Sequence, residues 1–582
     1  MKTPEMTGRC KEMKFIFGAA EGSGIRISAQ RVYDEEGYGF VTRAAGLREG
    51  RLNIPELNSG FEPSCWLQDI EAQEISEDSH GVRAEVRAPY PAQWKIPLVF
   101  KAAVPEEGNY RITVTLSLPQ EAEHPQEVLV FSGRRQLAFR GMLKPGETKR
   151  VTALEHVCPI IPRNHAEEMA DRSVKISLVA EEVRIREILI SPAEVPTIYI
   201  AGDSTVTDQT ASYPYLPEQS YSGWGQMLGY YMEERFAVSN HAHSGLTTES
   251  FRSEGHYRIL LDRIGRGDLC LLQFGHNDQK LFHLSAEGGY RKNLERYILE
   301  IRQKGAVPIL VTPLARNTWR GDSGTYNDLL GEYHAVCRGI GAEQDVPVVG
   351  LHEKSMAFIT DHGREGARGY FYPSDYTHTN DFGAYLFAGY VADELKRLGI
   401  AEKRADAGVW ELPKSGRSVE IPAGMEHAQN AGEILFRDLE RPEEYLTRAE
   451  ALEMAVEAMR FFPTNVYNDM FTDVIGHETY AGAVECAWQN GLIPSEMVKE
   501  NCLYPEREVT GEEFLNILML GYKSRRPIPE HMEPMDGASE WAAELCAAAH
   551  ELGCVETEFC PQGSIRRKDA AEICRSLGQK TF

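Results

Sequence analysis

Ser204 stands at the end of Thr197-Ile-Tyr-Ile-Ala-Gly-Asp-Ser-Thr205, a short β-branched and aromatic run that stops at Gly202 and Asp203. In an open parallel sheet, ligands collect at the carboxyl ends of the strands, so a hydroxyl placed there is a candidate nucleophile. The same placement suits a helix N-cap serine, and Gly-Asp-Ser by itself leaves both readings open. Three later segments carry groups suited to proton transfer and anion binding: Asn240-His-Ala-His-Ser-Gly245, Phe274-Gly-His-Asn-Asp278 and Asp375-Tyr-Thr-His378. An alcohol, an imidazole and a carboxylate brought together are the parts needed for acyl transfer.

The order and spacing of these four segments resembles the SGNH (GDSL-type) hydrolases, and within them the rhamnogalacturonan acetylesterase group of carbohydrate esterases, over roughly residues 195 to 400. A serine hydroxyl is inert at neutral pH unless a base takes its proton, and His378 is the candidate base because imidazole titrates near the working pH. Asp375, three residues earlier, can hold the ring in the right tautomer from the same short turn. The resemblance implies that the oxyanion donors are the backbone N–H groups of Ser204 and Gly245 and the side-chain amide of Asn277. Asp203 reads as a brace of the nucleophile's turn, and His276 and Asp278 as residues that orient Asn277. His241 and His243 alternate on one face, but two ligands do not make a metal site, and neither metal nor cofactor is expected. One departure stands out: the acetylesterase group usually carries Gly-Arg-Ser where this chain has Gly245-Leu-Thr247. Losing that arginine removes a bidentate cation that would favour an anionic galacturonate neighbour.

These groups need a scaffold, and the text between them supplies one. Strand-like runs at 198–201, 236–239, 268–274, 307–312 and 346–350 alternate with helical runs near 225–234, 290–304 and 326–340. Such alternation predicts a central three-layer α/β hydrolase, a parallel five-stranded sheet with helices on both faces, over 194–402. A last helix over 381–398 begins just after His378, which places the histidine on the loop leading into it.

On either side the style of the chain changes. Residues 1–193 read as short strands alternating at period two between Gly, Pro and Asn clusters, an antiparallel, jelly-roll-like β-sandwich. Gly108-Asn-Tyr-Arg-Ile-Thr-Val114 resembles a strand of carbohydrate-binding sandwiches, and the plainer reading is a structural companion to the hydrolase. Glu194-Val-Pro196 is the expected hinge. Residues 403–435 read as linker, and 436–582 as an α-helical repeat that begins near 446 and restarts near 504, 539 and 564. The restarts resemble degenerate S-layer homology repeats, whose family role is docking on wall polysaccharide; a module for homo-oligomer or glycan contact is the expectation here.

The formal net charge of -25 over 582 residues argues against nucleic acid or an anionic membrane surface as partner. The 11 scattered cysteines without a Cys-x-x-Cys spacing fit reduced thiols. The first ten residues lack the apolar core of a secretory signal, so a cytoplasmic location is expected, or a secreted or wall-associated one if an export signal has been removed. Together these readings predict a serine esterase that deacetylates rhamnogalacturonan or its oligosaccharides. The alternatives are an acetylxylan esterase, a lipase- or thioesterase-like enzyme, or a glycan-binding protein with a vestigial site.

Overall fold

The computed structural model describes residues 12–19, 22–34, 36–41, 64–66, 73–88, 90–161, 167–211, 214–232, 234–320, 325–373, 375–413, 442–459, 471, 473–474, 480–500, 502–524, 526–529, 531–556 and 559–581. The N-terminal segment read for a signal, residues 414–435 of the expected linker and residues 436–441 of the expected repeat region lie outside them.

Parallel pairing joins the strands Ala237–Asn240, Thr197–Gly202, Leu269–Gln273, Val307–Val311 and Val348–Val349 in that spatial order. Successive side chains along a strand point to opposite faces, and the packing follows that rule. Ile198, Ile200, Leu271, Ile309 and Val311 pack with the helices Trp224–Tyr231 and Asp381–Arg397 on one side. Tyr199, Ala201, Cys270, Leu272 and Leu310 pack with His256–Arg263, Arg291–Gln303 and Gly331–Gln344 on the other. Both faces are covered, which is why these strands read as continuous apolar runs.

The helix expected over 326–340 begins only at Gly331, because Asp328 Oδ1 accepts from Leu330 N and Asn327 N donates to Thr318 O, holding a turn before it. The helices His256–Arg263 and Leu351–Arg368 were not expected. The first is short and follows Gly255 at φ 93°; the second contains Gly363 at φ 70°, which breaks its period.

In the N-terminal region, Gly108–Ser117 pairs antiparallel with Thr148–Val157 on one side and Arg184–Pro192 on the other. A second sheet runs Tyr38–Phe40, Leu98–Ala103, Ser173–Val179, Gln126–Ser132, Gln136–Leu143. Phe15, Phe17, Phe40 and Phe100 meet edge-on or tilted in the core between the sheets. The first sheet does not stop there: Glu155 pairs with Val238, so it runs on into the parallel strands. The segment expected to be a hinge is pinned as well, since Asn109 O accepts from Ala193 N and Asn109 Nδ2 donates to Val195 O, each at 2.8 Å.

A buried ion pair completes the join. Arg135, fully buried, donates from Nη1 to both carboxylate oxygens of Asp381 at 2.9 and 2.7 Å, at the start of the helix Asp381–Arg397, and Tyr215 OH also donates to Asp381. Removing one partner strands the other charge without solvent, so Arg135→Ala is expected to cost about 3–5 kcal/mol of unfolding free energy by urea titration. A loss below about 1 kcal/mol, the worth of an exposed pair, would contradict this.

The C-terminal helices form a ring. Leu446 N donates to Ile565 O, Ile565 N to Val509 O and Val509 N to Leu446 O, so these three segments close on one another through backbone bonds, while the restart expected near 539 takes no part in them. Thr447 with Glu450 and Thr510 with Glu513 make reciprocal capping boxes at the starts of Arg448–Ala458 and Gly511–Lys523.

Candidate active site

Ser204 lies on the turn that ends the strand Thr197–Gly202, where Val206 N donates to Asp203 O at 3.2 Å. No helix follows this turn, so the hydroxyl caps nothing; its Oγ is 2.7 Å from His378 Nε2. His378 Nδ1 is in turn 2.7 Å from Asp375 Oδ2. A carboxylate can only accept, so Nδ1 carries the ring proton and Nε2 is left to accept from the serine.

Asp375 is 5% exposed, and its other oxygen, Oδ1, accepts from Thr377 N at 2.7 Å and His378 N at 2.9 Å. Burial pushes its carboxyl up, but the His378 ring and these two N–H groups overcome that and hold it below the usual aspartate value. The turn is closed by Tyr372 N donating to His378 O and Asp375 N donating to Tyr372 O. Immediately after it, Asn380 caps the helix Asp381–Arg397 by accepting from Gly383 N. Tyr221 meets His378 edge-on, ring centroids 5.9 Å apart, and stacks on Tyr372 at 3.6 Å.

The residues expected to donate to an oxyanion come from the neighbouring loops. Gly245 sits at φ 86°, which an L side chain adopts only with strain; a Cβ there would meet no atom within 4 Å, so backbone conformation rather than crowding calls for glycine. Asn277 Nδ2 donates to Leu246 O at 3.0 Å, and Asn277 Oδ1 accepts from Lys280 Nζ at 2.7 Å. These two bonds fix which end of the amide is which. Gln209 Nε2 bridges Ser204 O and Ser244 Oγ, bringing the nucleophile's turn beside the Gly245 loop.

Under this layer is a buried polar network. Asp203 Oδ1 accepts from Thr205 N and Thr205 Oγ1, and its Oδ2 is 3.2 Å from His276 Nδ1, while His276 Nε2 reaches Leu314 O. Burial favours a neutral Asp203, and His276 with Thr205 reverses this, keeping its carboxyl low. Asp278 accepts from Thr248 N and Gly275 N and is pushed up to about 7 by burial. Burial likewise brings Lys280 down to about 7.

His241 and His243 engage different partners: His241 Nε2 contacts Ser239 Oγ at 2.9 Å and His243 Nδ1 contacts Ser244 O at 3.2 Å. Where the acetylesterase pattern has arginine, Leu246 is 3% exposed and Thr247 Oγ1 accepts from Ser250 N, so both serve the fold. Gln209, Lys280 and Arg316 are the groups at the site that the sequence did not single out. Lys280 lies two residues beyond the recognised Gly-His-Asn-Asp segment and could have been found there; Gln209 and Arg316 stand in no motif.

The pattern of the GDSL-like Lipase/Acylhydrolase family matches residues 200–385, which contain all of these groups. A probable rhamnogalacturonan acetylesterase, YesY, of Bacillus subtilis (strain 168) is 36% identical over 211 residues, covering 35% of this chain and 94% of the relative. The rhamnogalacturonan acetylesterase RhgT of the same organism is 34% identical, with 35% and 92% covered. A crystal structure of a Bacillus subtilis protein is 25% identical, covering 67% of this chain and 100% of that one, with a TM-score of 0.35.

Proposed function

The chain belongs to the GDSL-like lipase/acylhydrolase family and is a carboxylic ester hydrolase, and from that premise we propose that it is a serine carbohydrate esterase removing acetyl groups from rhamnogalacturonan or its oligosaccharides. The observation that carries the reading is the continuous path from Ser204 Oγ through His378 to Asp375, each step 2.7 Å. Ser204 Oγ attacks the acetyl carbonyl carbon while His378 Nε2 takes its proton. The oxyanion is held by the N–H groups of Ser204 and Gly245 and by Asn277 Nδ2. The bond to the sugar oxygen breaks, that oxygen takes the proton from His378, and water activated by the same ring releases acetate from the acetyl-enzyme.

Sugar choice is supported by the named activities of the two relatives and by the Tyr221–Tyr372 stack beside His378, where the leaving sugar must sit. Acetate release from acetylated rhamnogalacturonan, acetylxylan and medium-chain esters tests it. Preference for the first supports the proposal; preference for the long acyl chains would replace it with a lipase-like reading.

Asn277→Ala removes the side-chain donor while leaving the triad in place. Turnover is expected to fall about 10²- to 10³-fold with KM little changed, because the donor acts on charge that exists only in the transition state. A rise in KM with kcat unchanged would remove Asn277 from the oxyanion site.

A further inference from the structure

Arg316 joins the two halves of the site from beneath. It is 1% exposed; Nη1 donates to Thr377 Oγ1 at 2.9 Å in the turn that carries Asp375 and His378, and Nη2 reaches His276 O at 3.4 Å in the turn that carries Asn277. Its Nε finds no acceptor among the described residues. A guanidinium so enclosed depends on surrounding negative charge. Burial brings Arg316 down to about 10, against the opposing pull of Asp203, Glu485 and Asp375.

Glu485 is not part of the hydrolase region. It belongs to the helix Ala481–Gln489 of the C-terminal ring and is 2% exposed. Just past the end of that helix, Asn490 Oδ1 accepts from Tyr376 OH at 2.7 Å, and Asn490 Nδ2 donates to Cys486 O at 2.7 Å, which fixes the amide so that its oxygen faces the tyrosine. Tyr376, 3% exposed, stands between Asp375 and Thr377. The C-terminal helices thus reach the catalytic turn through a hydrogen bond on Tyr376, and they place the buried carboxylate of Glu485 among the charges that act on Arg316. Both Asn490 and Glu485 lie outside 200–385, the span shared with the family.

We propose that the C-terminal helical region is a positioning element of the esterase site, holding the Asp375–His378 turn in register with Ser204 through the hydrogen bond between Asn490 and Tyr376. This rests on the reading of Ser204, His378 and Asp375 as the triad. Neither residue touches substrate; both act through the turn, so their loss shows in turnover rather than in binding.

The test uses the full chain, with kcat expressed per Ser204 titrated by a fluorophosphonate, so that misfolded protein is not counted. Asn490→Leu and Tyr376→Phe are each expected to lower kcat about 10-fold with KM changed less than about twofold. Because both remove the same bond, the double variant should fall no further than the more affected single. Tyr376→Phe deletes one oxygen and keeps the ring, so it carries the test even if Asn490→Leu fails to fold. Unchanged kcat per titrated serine in both singles, or losses that multiply in the double, would overturn the proposal. Wild-type protein that is not labelled at Ser204 would instead overturn the triad reading on which it stands.

Discussion

Changing Ser204 to alanine is expected to lower esterase turnover by about 10⁶-fold, to the residual rate that the oxyanion donors and binding alone provide. The size of the loss follows from what the hydroxyl does. With Oγ gone, no acetyl-enzyme can form, and water must attack the ester directly from a position the site was not shaped to hold. The fold should be unaffected, because Ser204 caps no helix and, among the described residues, its side chain bonds only to His378. A pH-stat assay on an acetylated oligosaccharide, with circular dichroism to confirm folding, reads both. Folded S204A protein within about tenfold of wild type would leave no serine mechanism to defend.

The second large effect is expected at Asp375. Its Oδ1 is committed to Thr377 N and His378 N, so Asp375→Asn keeps the turn only by placing its carbonyl oxygen there. The new NH₂ then faces His378 Nδ1, which must become the acceptor, and the ring proton moves to Nε2. In that tautomer the imidazole meets Ser204 with a donor where a base is needed. Turnover is expected to fall about 10⁴-fold while KM and thermal stability stay close to wild type. A kcat loss below about tenfold would mean that Asp375 serves the turn alone.

Much of this site was legible in the chain because the reacting groups sit in short segments at the ends of strands, and the strands, buried on both faces, announce themselves as apolar runs. Ser204 and Asn277 were found that way, and His378 from the short Asp-x-x-His turn before the last helix. What joins them was not. Arg316 acts across 61 positions on Thr377, and Gln209 reaches 35 positions to Ser244; no local pattern marks a side chain whose partner is set by packing. The same reason hid the continuity of the N-terminal strands with the hydrolase sheet, which hangs on the single pairing of Glu155 with Val238. The sequence did mark a change of style at residue 194, but not that Asn109 would lock the connection. In the C-terminal region the recurring helical segments were readable as repeats, whereas the contact of Asn490 with Tyr376 joins residues 114 apart.

The central claim is that Ser204 is the alcohol made nucleophilic by His378. Incubating the protein with a fluorophosphonate and locating the adduct by mass spectrometry tests it most directly. The expected result is one phosphonyl group on the peptide that contains Ser204, with esterase activity lost in step with labelling and no adduct in the His378→Ala variant. Activity abolished with Ser204 unmodified, or an adduct carried by another residue, would contradict it.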